Sequence, residues 1–239
     1  MVEPKLTLTE SRVKKFRENV REEYDYTSVI KQAVSWRQAT PLDKVPFAQI
    51  GMRFFAEPDI FIDSYSAGTT YISPEIFGVG RSIALGEEKY LVETLEKGIK
   101  NRRDKQSLSF ETISQAIREA GPSFAPSTVF IPLDFYLVLH ASKEAKVCIL
   151  YEDHDCFLFI GSTKVRVFWS NKYVPFDSLI FVDQRLGEWI VKPDPVDKHW
   201  VTVDIRPANE KVDVIVKTVA RYSILDPEAG LILKVPSPK

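Results

Sequence analysis

The sequence contains few cysteines, and their arrangement does not match a metal or redox motif. Only two of the 239 residues are cysteines, Cys148 and Cys156. Neither lies in a C-x-x-C pair, and their spacing does not match a zinc knuckle. We therefore expect two buried thiols in neighbouring strands, with no metal bound by them.

Long apolar runs and a strong net charge are also absent. No segment reaches the roughly 18 apolar residues of a membrane-spanning helix, and residues 1–5 lack the apolar core of a signal peptide. The net charge is −1 with a pI of about 6.4, which argues against a strong overall attraction to nucleic acid or to a membrane surface. We expect an intracellular, soluble protein with no membrane partner, and 44% hydrophobic residues suffice for a full core.

Catalytic signatures are missing as well. There is no G-x-S-x-G elbow, no Walker lysine motif and no complete G-x-G-x-x-G. Glu152-Asp153-His154-Asp155 could in principle hold a divalent cation. Four consecutive polar residues between strands point in different directions, however, and Asp and His suit a tight turn. The sequence therefore predicts a surface turn and a protein that is not an enzyme, without catalytic residues, metal or cofactor.

The first part of the chain has helical patterns and then a glycine-rich ribbon. Thr7-Leu8-Thr9-Glu10 is typical of a capping box, and a second helical pattern runs through Trp36. The stripe Val13, Phe16 and Val20 has no partner within its own helix and predicts an interface. Four of the ten glycines fall between Gly68 and Gly86, and residues 58–85 are expected to form two strands around a loop with little core of their own. The candidate assembly residues are Val13, Phe16, Val20, Tyr65 and Tyr71.

A long helix and a β-rich half follow. Leu91, Leu95 and Ile99 recur at helical spacing, which predicts a helix over residues 86–105. Its basic end could touch phosphates without reading base sequence, although a solvated helix terminus is the simpler interpretation. Ser109 is expected to cap another helix, and Thr128–Ile131 to form a strand before a helix starting at Pro132. The basic residues are Lys97, Lys100, Arg102, Arg103 and Lys105.

This α+β order resembles the Hong Kong 97-type coat-protein fold of tailed-virus capsid proteins and encapsulins. TISQAIREAGPSFAPSTVFIPLDFYLVLHAS and GSTKVRVFWSNKYVPFDSLIFVD are similar to segments of the family's axial domain. VKTVARYSILDPEAGLILKV is similar to its closing strands, which we expect to form a hairpin around the turn set by Asp226-Pro227. The resemblance implies an N-terminal arm (1–57), an extended β-loop (58–85), a spine helix of the peripheral domain (86–105), an axial domain (106–198) and C-terminal strands returning to the peripheral domain (199–239).

The resemblance implies a self-assembling shell subunit whose main partner is itself. The first interpretation is the major capsid protein of a tailed virus or provirus, located in the virion and enclosing double-stranded DNA. The second is a cytoplasmic encapsulin-type compartment that holds a cargo protein. Two alternatives come from other classes: a small α+β metal-dependent enzyme using Asp153, His154 and Asp155, and a binding module presenting Trp169, Trp189 and Trp200.

Overall fold

The computed structural model describes residues 8–57, 78–153, 155–169, 173–208 and 210–236. The chain forms two compact units. Unit 1 comprises Met1–Ser28, Gln38–Glu87 and Ile190–Arg221, and unit 2 comprises Val29–Arg37, Glu88–Trp189 and Tyr222–Lys239. Each unit is therefore assembled from segments that are distant in sequence.

Unit 1 combines the first helix with a long antiparallel ladder. Helix α1 (Glu10–Thr27) precedes the strands β2 (Ala48–Ala56), β10 (Val201–Ala208) and β11 (Lys211–Ile224). Strand β11 pairs antiparallel with β10 along one edge and with β2 along the other. Alternate β11 side chains such as Val212, Val214 and Val216 are buried, as expected for a strand with a covered face.

The short second helix, α2, differs from the prediction. It covers only Ile30–Ala33, and Trp36 lies in strand β1 (Ser35–Gln38) rather than in a helix. With β9 (Gly187–Lys192), strand β1 completes a five-stranded sheet in the order β1-β9-β11-β10, with β2 also on β11. A four-residue helix followed directly by a four-residue strand is shorter than the window in which helical periodicity is informative.

The long helix α3 spans Val79–Gly98, so its predicted range of 86–105 is wrong at both ends. Leu91 and Leu95 are fully buried, as the predicted stripe requires. Gly80 lies inside the first turn of the helix and packs closely against α1, since a Cβ there would overlap the carbonyl oxygen of Val20. In the sequence, a glycine needed for such close packing looks the same as a glycine that marks a loop.

Strand β3 (Asn101–Asp104) begins shortly after α3 and pairs in parallel with β12 (Gly230–Lys234). Strand β12 also pairs antiparallel with β8 (Ser178–Val182). The predicted closing hairpin is therefore wrong, because β11 and β12 belong to different sheets. The turn between them is fixed to the carbonyl of Leu186 by the N–H groups of Leu225 (2.8 Å) and Asp226 (3.2 Å).

Unit 2 contains a seven-stranded sheet in the order β3-β12-β8-β4-β7-β6-β5. Its remaining strands are β4 (Thr128–Ile131), β5 (Ile149–Glu152), β6 (Asp155–Ile160) and β7 (Thr163–Trp169). Three helices accompany it: α4 (Phe110–Ala120), α5 (Leu133–His140) and the short α6 (Ala145–Cys148). The predicted β4 and the helix after Pro132 are confirmed.

One face of this sheet and the helices α4 and α5 enclose the main core of unit 2. Helix α4 starts where the hydroxyl of Ser109 accepts a hydrogen bond from the N–H of Thr112 (3.1 Å), as predicted. It ends at Gly121, whose φ of 124° favours glycine. The core includes Ile113, Ala116, Val129, Phe135, Leu139, Leu158, Val165, Phe181 and Leu231.

Candidate assembly surfaces

The α1 stripe is covered within unit 1, contrary to the expectation that it is exposed. Phe16 and Val20 are 5% and 1% exposed, and Val13 is half-buried. The interpretation of Phe16 and Val20 as free interface residues is therefore wrong. Two apolar side chains that are one helical turn apart look identical in sequence whether they face the same chain or another copy.

Polar contacts also hold α1 in unit 1. The guanidinium of Arg21 lies 2.5 Å from the carboxylate of Asp197, and Glu23 accepts hydrogen bonds from the N–H groups of Gly78 (3.2 Å) and Gly80 (3.1 Å). The two hydrogen bonds to Glu23 place its carboxylate at the start of α3, where the helix dipole favours negative charge. Helix α1 is thus an integral part of the unit rather than a free arm.

Tyr24 connects α1 to α3 through a buried hydrogen bond. Its hydroxyl donates to Oε2 of Glu87 at 2.7 Å, and both residues are fully buried. Burial and the neighbouring Glu87 carboxylate raise the pKa of Tyr24, so the hydroxyl stays protonated and remains a donor. The ring also contacts His199 edge-on, with centroids 6.0 Å apart.

The other predicted ribbon residues, Tyr65 and Tyr71, lie outside the described residues. The predicted extended β-loop falls largely in the same part of the chain, but its last residues, 79–85, belong to α3. Interface roles for Tyr65 and Tyr71 stay predictions.

The basic run is divided between a helix end and a strand. Lys97 ends the last turn of α3, whereas Arg102 and Arg103 lie in β3 and point to opposite faces, as successive strand residues do. Lys105 lies 2.9 Å from the carboxylate of Glu119, which also receives Arg103 at 3.9 Å. The lysine hydrogen bond holds the pKa of Glu119 below its usual range. Arg102 and Arg103 thus do not share one face of β3, and phosphate contacts by the five cations stay a prediction.

The acidic turn 152–155 has cationic neighbours in unit 2. Glu152 lies 2.5 Å from Nζ of Lys164, and Asp155 pairs with the guanidinium of Arg166. Among the described residues, no group of three or more His, Cys, Asp or Glu side chains could hold a metal ion; His154 lies outside the described residues. The geometry of the described carboxylates is that of surface ion pairs rather than a metal-ligand set.

The tryptophans do not form a common surface. Trp189 is fully buried and Trp200 is 5% exposed, whereas Trp169 is 49% exposed. The interpretation of all three as a presented binding surface is wrong. The buried ring of Trp189 instead lies edge-on to the ring of Tyr90 in unit 2, with centroids 5.9 Å apart.

A cluster of exposed apolar side chains in unit 2 was not anticipated from the sequence. We call it the α5–β5 patch. Tyr136 connects two of its members, since its ring lies 5.2 Å from that of Trp169 and its hydroxyl meets that of Tyr151. Exposed apolar clusters of this kind mark interaction sites. The patch consists of Leu137 (52% exposed), Val138 (37%), Val147 (80%), Tyr151 (56%) and Trp169 (49%).

None of the helices in the described part of the chain has the length and hydropathy needed to cross a membrane.

No protein-family model matches the sequence, and a search of curated proteins finds no match either.

Solved structures, in contrast, match along most of the chain. The virus-like particle protein of Pyrococcus furiosus aligns with a TM-score of 0.63 at 17% identity, covering 92% of this chain and 98% of that one. The SrpI encapsulin of Synechococcus elongatus aligns with 0.64 at 11% identity over 84% of each chain. The capsid protein of a native GTA particle gives 0.60 at 12% identity, covering 88% and 91%.

These similarities confirm the predicted α+β fold of the Hong Kong 97 type, shared by capsid and encapsulin proteins. Identities this low show the fold alone, because one fold can serve several functions.

Proposed function

We propose that this protein is the subunit of a closed, self-assembling shell and that its role is structural rather than catalytic. The observation that carries the proposal is the near-complete overlap in length and fold with the Pyrococcus furiosus particle protein. The alignment covers most of the subunit rather than one domain, which supports a shared role in a shell.

The metal-dependent enzyme alternative receives no support. The proteins of similar fold are shell subunits, and the Glu152 and Asp155 carboxylates already pair with Lys164 and Arg166.

For the contents of the shell we propose double-stranded DNA, which makes the protein the major capsid protein of a tailed virus or provirus and places it in the virion. The second candidate is a cytoplasmic compartment enclosing a cargo protein, favoured by the similarity to the SrpI encapsulin. Both candidates use the same self-association, which repeats one contact many times so that modest contacts give a stable assembly.

Expression and purification of the full-length chain test the shell. We expect sedimentation velocity to show a particle far larger than a small oligomer, and negative-stain images to show closed shells of uniform diameter. Protein that remains a monomer or dimer at micromolar concentration in low and high salt would contradict the proposal.

The contents are tested on the same particles. Nuclease-resistant DNA extracted after denaturation would support the capsid, whereas an enclosed protein without nucleic acid would support the compartment. For a shell formed in the source organism, the ratio of absorbance at 260 nm and 280 nm gives the first indication.

A further inference from the structure

Unit 2 has a pocket of about 490 Å³ where α5, α6 and β5 meet. Lys143 and Lys146 are exposed at this pocket, and none of the ion pairs identified among the described residues includes either lysine. Ile149 and Tyr151 contribute apolar surface beside the two ammonium groups. The pocket is lined by His140, Ser142, Lys143, Ala145, Lys146, Ile149 and Tyr151.

The far end of the same strand carries negative charge. Glu152 ends β5 and Asp153 follows it, and both are exposed. Asp153 has a φ of 52°, a left-handed conformation that Asp tolerates and that turns the chain out of the strand. Glu152 has only the partly exposed ion pair with Lys164, so its carboxylate can accept a further cation.

The two features are not paired with each other within one chain. Among the ion pairs identified for the described residues, Glu152 is joined to Lys164, and none joins Glu152 or Asp153 to Lys143 or Lys146. The charges are complementary and can therefore be matched by a second copy.

We propose that Glu152 and Asp153 of one copy dock against the Lys143–Lys146 pocket of a second copy. The proposal rests on the proposed self-assembly and specifies one of its contacts. In the proposed shell this contact is heterologous rather than two-fold: each copy uses its pocket for one neighbour and its acidic pair for the other, so that one contact can repeat around a ring. Such contacts generate rings when the rotation closes.

The α5–β5 patch supplies the apolar area of this contact. Val147, its most exposed member, directly follows the pocket residue Lys146 in sequence. Tyr151, the next most exposed member, lines the pocket itself. In such an interface the buried apolar surface provides the affinity, and the charged pairs fix the register and exclude wrong orientations.

A charge-swap experiment tests the contact. The pocket variant is Lys143→Glu/Lys146→Glu, the turn variant is Glu152→Lys/Asp153→Lys, and the swap variant combines all four changes. Because like charges face each other in the first two, we expect each to need an at least about tenfold higher concentration than wild type to form particles. The swap variant restores opposite charges and should recover most of this loss.

Sedimentation velocity at 50 mM and 500 mM salt measures assembly, and circular dichroism confirms that each variant is folded. The matched control is Lys15→Glu/Lys44→Glu, which makes the same change in net charge at two exposed residues of unit 1. We expect this control to assemble like wild type. Salt should narrow the difference between wild type and the two single-side variants, since surface charges are screened.

The results separate this contact from the shell itself. Wild-type particles together with an unaffected pocket variant would overturn the contact and leave the shell. A folded swap variant that fails to recover, or a control that loses assembly equally, would also overturn it, the latter by assigning the effect to net charge. A wild type that never assembles would contradict both proposals. Loss of an acidic cargo protein from intact particles of the pocket variant would assign the pocket to cargo and overturn the contact.

Discussion

At the scale of single residues, Asp183 fixes the chain directly after β8. Its carboxylate accepts hydrogen bonds from the N–H groups of Arg185 (3.0 Å) and Ala125 (3.0 Å). The Arg185 guanidinium also pairs with it, at 2.7 Å. Burial by itself raises the pKa of Asp183, but these donors outweigh burial and hold the pKa below its usual range.

A depressed pKa in the folded state makes the Asp183 contribution depend on pH. It is fully present above the unfolded-state pKa of about 3.9 and is lost as pH falls through the lower folded-state pKa. We expect Asp183→Asn to lower the free energy of unfolding by about 1–3 kcal/mol at pH 7. The loss should be smaller at pH 3, where wild type has begun to lose the same contribution.

Urea unfolding at the two pH values measures this effect. Asp134→Asn is the matched control, because Asp134 is exposed and surface substitutions usually stay within about 0.5 kcal/mol. Equal losses at pH 7 and pH 3 would show that the Asp183 carboxylate contributes through its shape rather than its charge.

Phe16 gives a second prediction for a single residue. It is 5% exposed in unit 1, so Phe16→Asp buries a carboxylate where a ring was packed, at a cost of several kcal/mol. We expect the variant to be unfolded or aggregated before any assembly step. The neighbouring exposed Lys15→Asp is the control and should fold normally, as circular dichroism can check. A folded Phe16→Asp subunit that merely fails to assemble would restore Phe16 to the interface.

At the scale of helices and strands, the sequence was sufficient to predict an element where the residues that start or end it lie next to it in the chain. Ser109 and Gly121 bracket α4, and Pro132 precedes α5. The sequence could not show that Gly80 serves packing against α1, because the carbonyl of Val20 that it approaches lies far away in the chain. The partners of β12 are equally remote, at residues 101–104 and 178–182.

The candidate surfaces were predicted less well for the same reason. An amphipathic helix shows that one face will be covered but not by what, and α1 is covered by its own unit. The α5–β5 patch combines apolar residues from α5, α6, β5 and β7, which are separated from one another in the sequence. Only the exposed fractions of Val147 and Tyr151 reveal it.

Helix α1 as a whole element gives a third prediction. Deleting residues 1–27 removes Phe16, Val20 and Tyr24 together and leaves Glu87 buried without the Tyr24 hydroxyl. We expect the truncated chain to lose cooperative unfolding in unit 1 and to become sensitive to protease, because several buried contacts are lost at once. Limited proteolysis with mass spectrometry measures this.

The control is deletion of residues 1–7, which retains all of α1 (Glu10–Thr27). This shorter deletion should leave the unfolding transition of unit 1 unchanged. A chain lacking residues 1–27 that is as protease-resistant as wild type would show that α1 is a detachable arm after all.

At the scale of the whole molecule, the two edges of the seven-stranded sheet differ. Strand β3 ends the sheet with three successive charged residues, Arg102, Arg103 and Asp104, and charge on an edge strand discourages pairing with other sheets. Strand β5 ends it with exposed Tyr151 and Leu150. If the subunits form a shell, the β5 side is the side suited to contact and the β3 side is protected from it.

The position of β12 between β3 and β8 has a consequence for the timing of synthesis. A growing polypeptide makes β3 and β8 long before residues 230–234 leave the ribosome, so their facing edges stay open until then. The sheet of unit 2 cannot close, and non-local pairing of this kind is slow. Nascent chains that are close together on one messenger RNA therefore still have an incomplete sheet in unit 2. If the protein forms a shell, a subunit can therefore offer a complete unit 2 to its neighbours only when its synthesis is nearly finished.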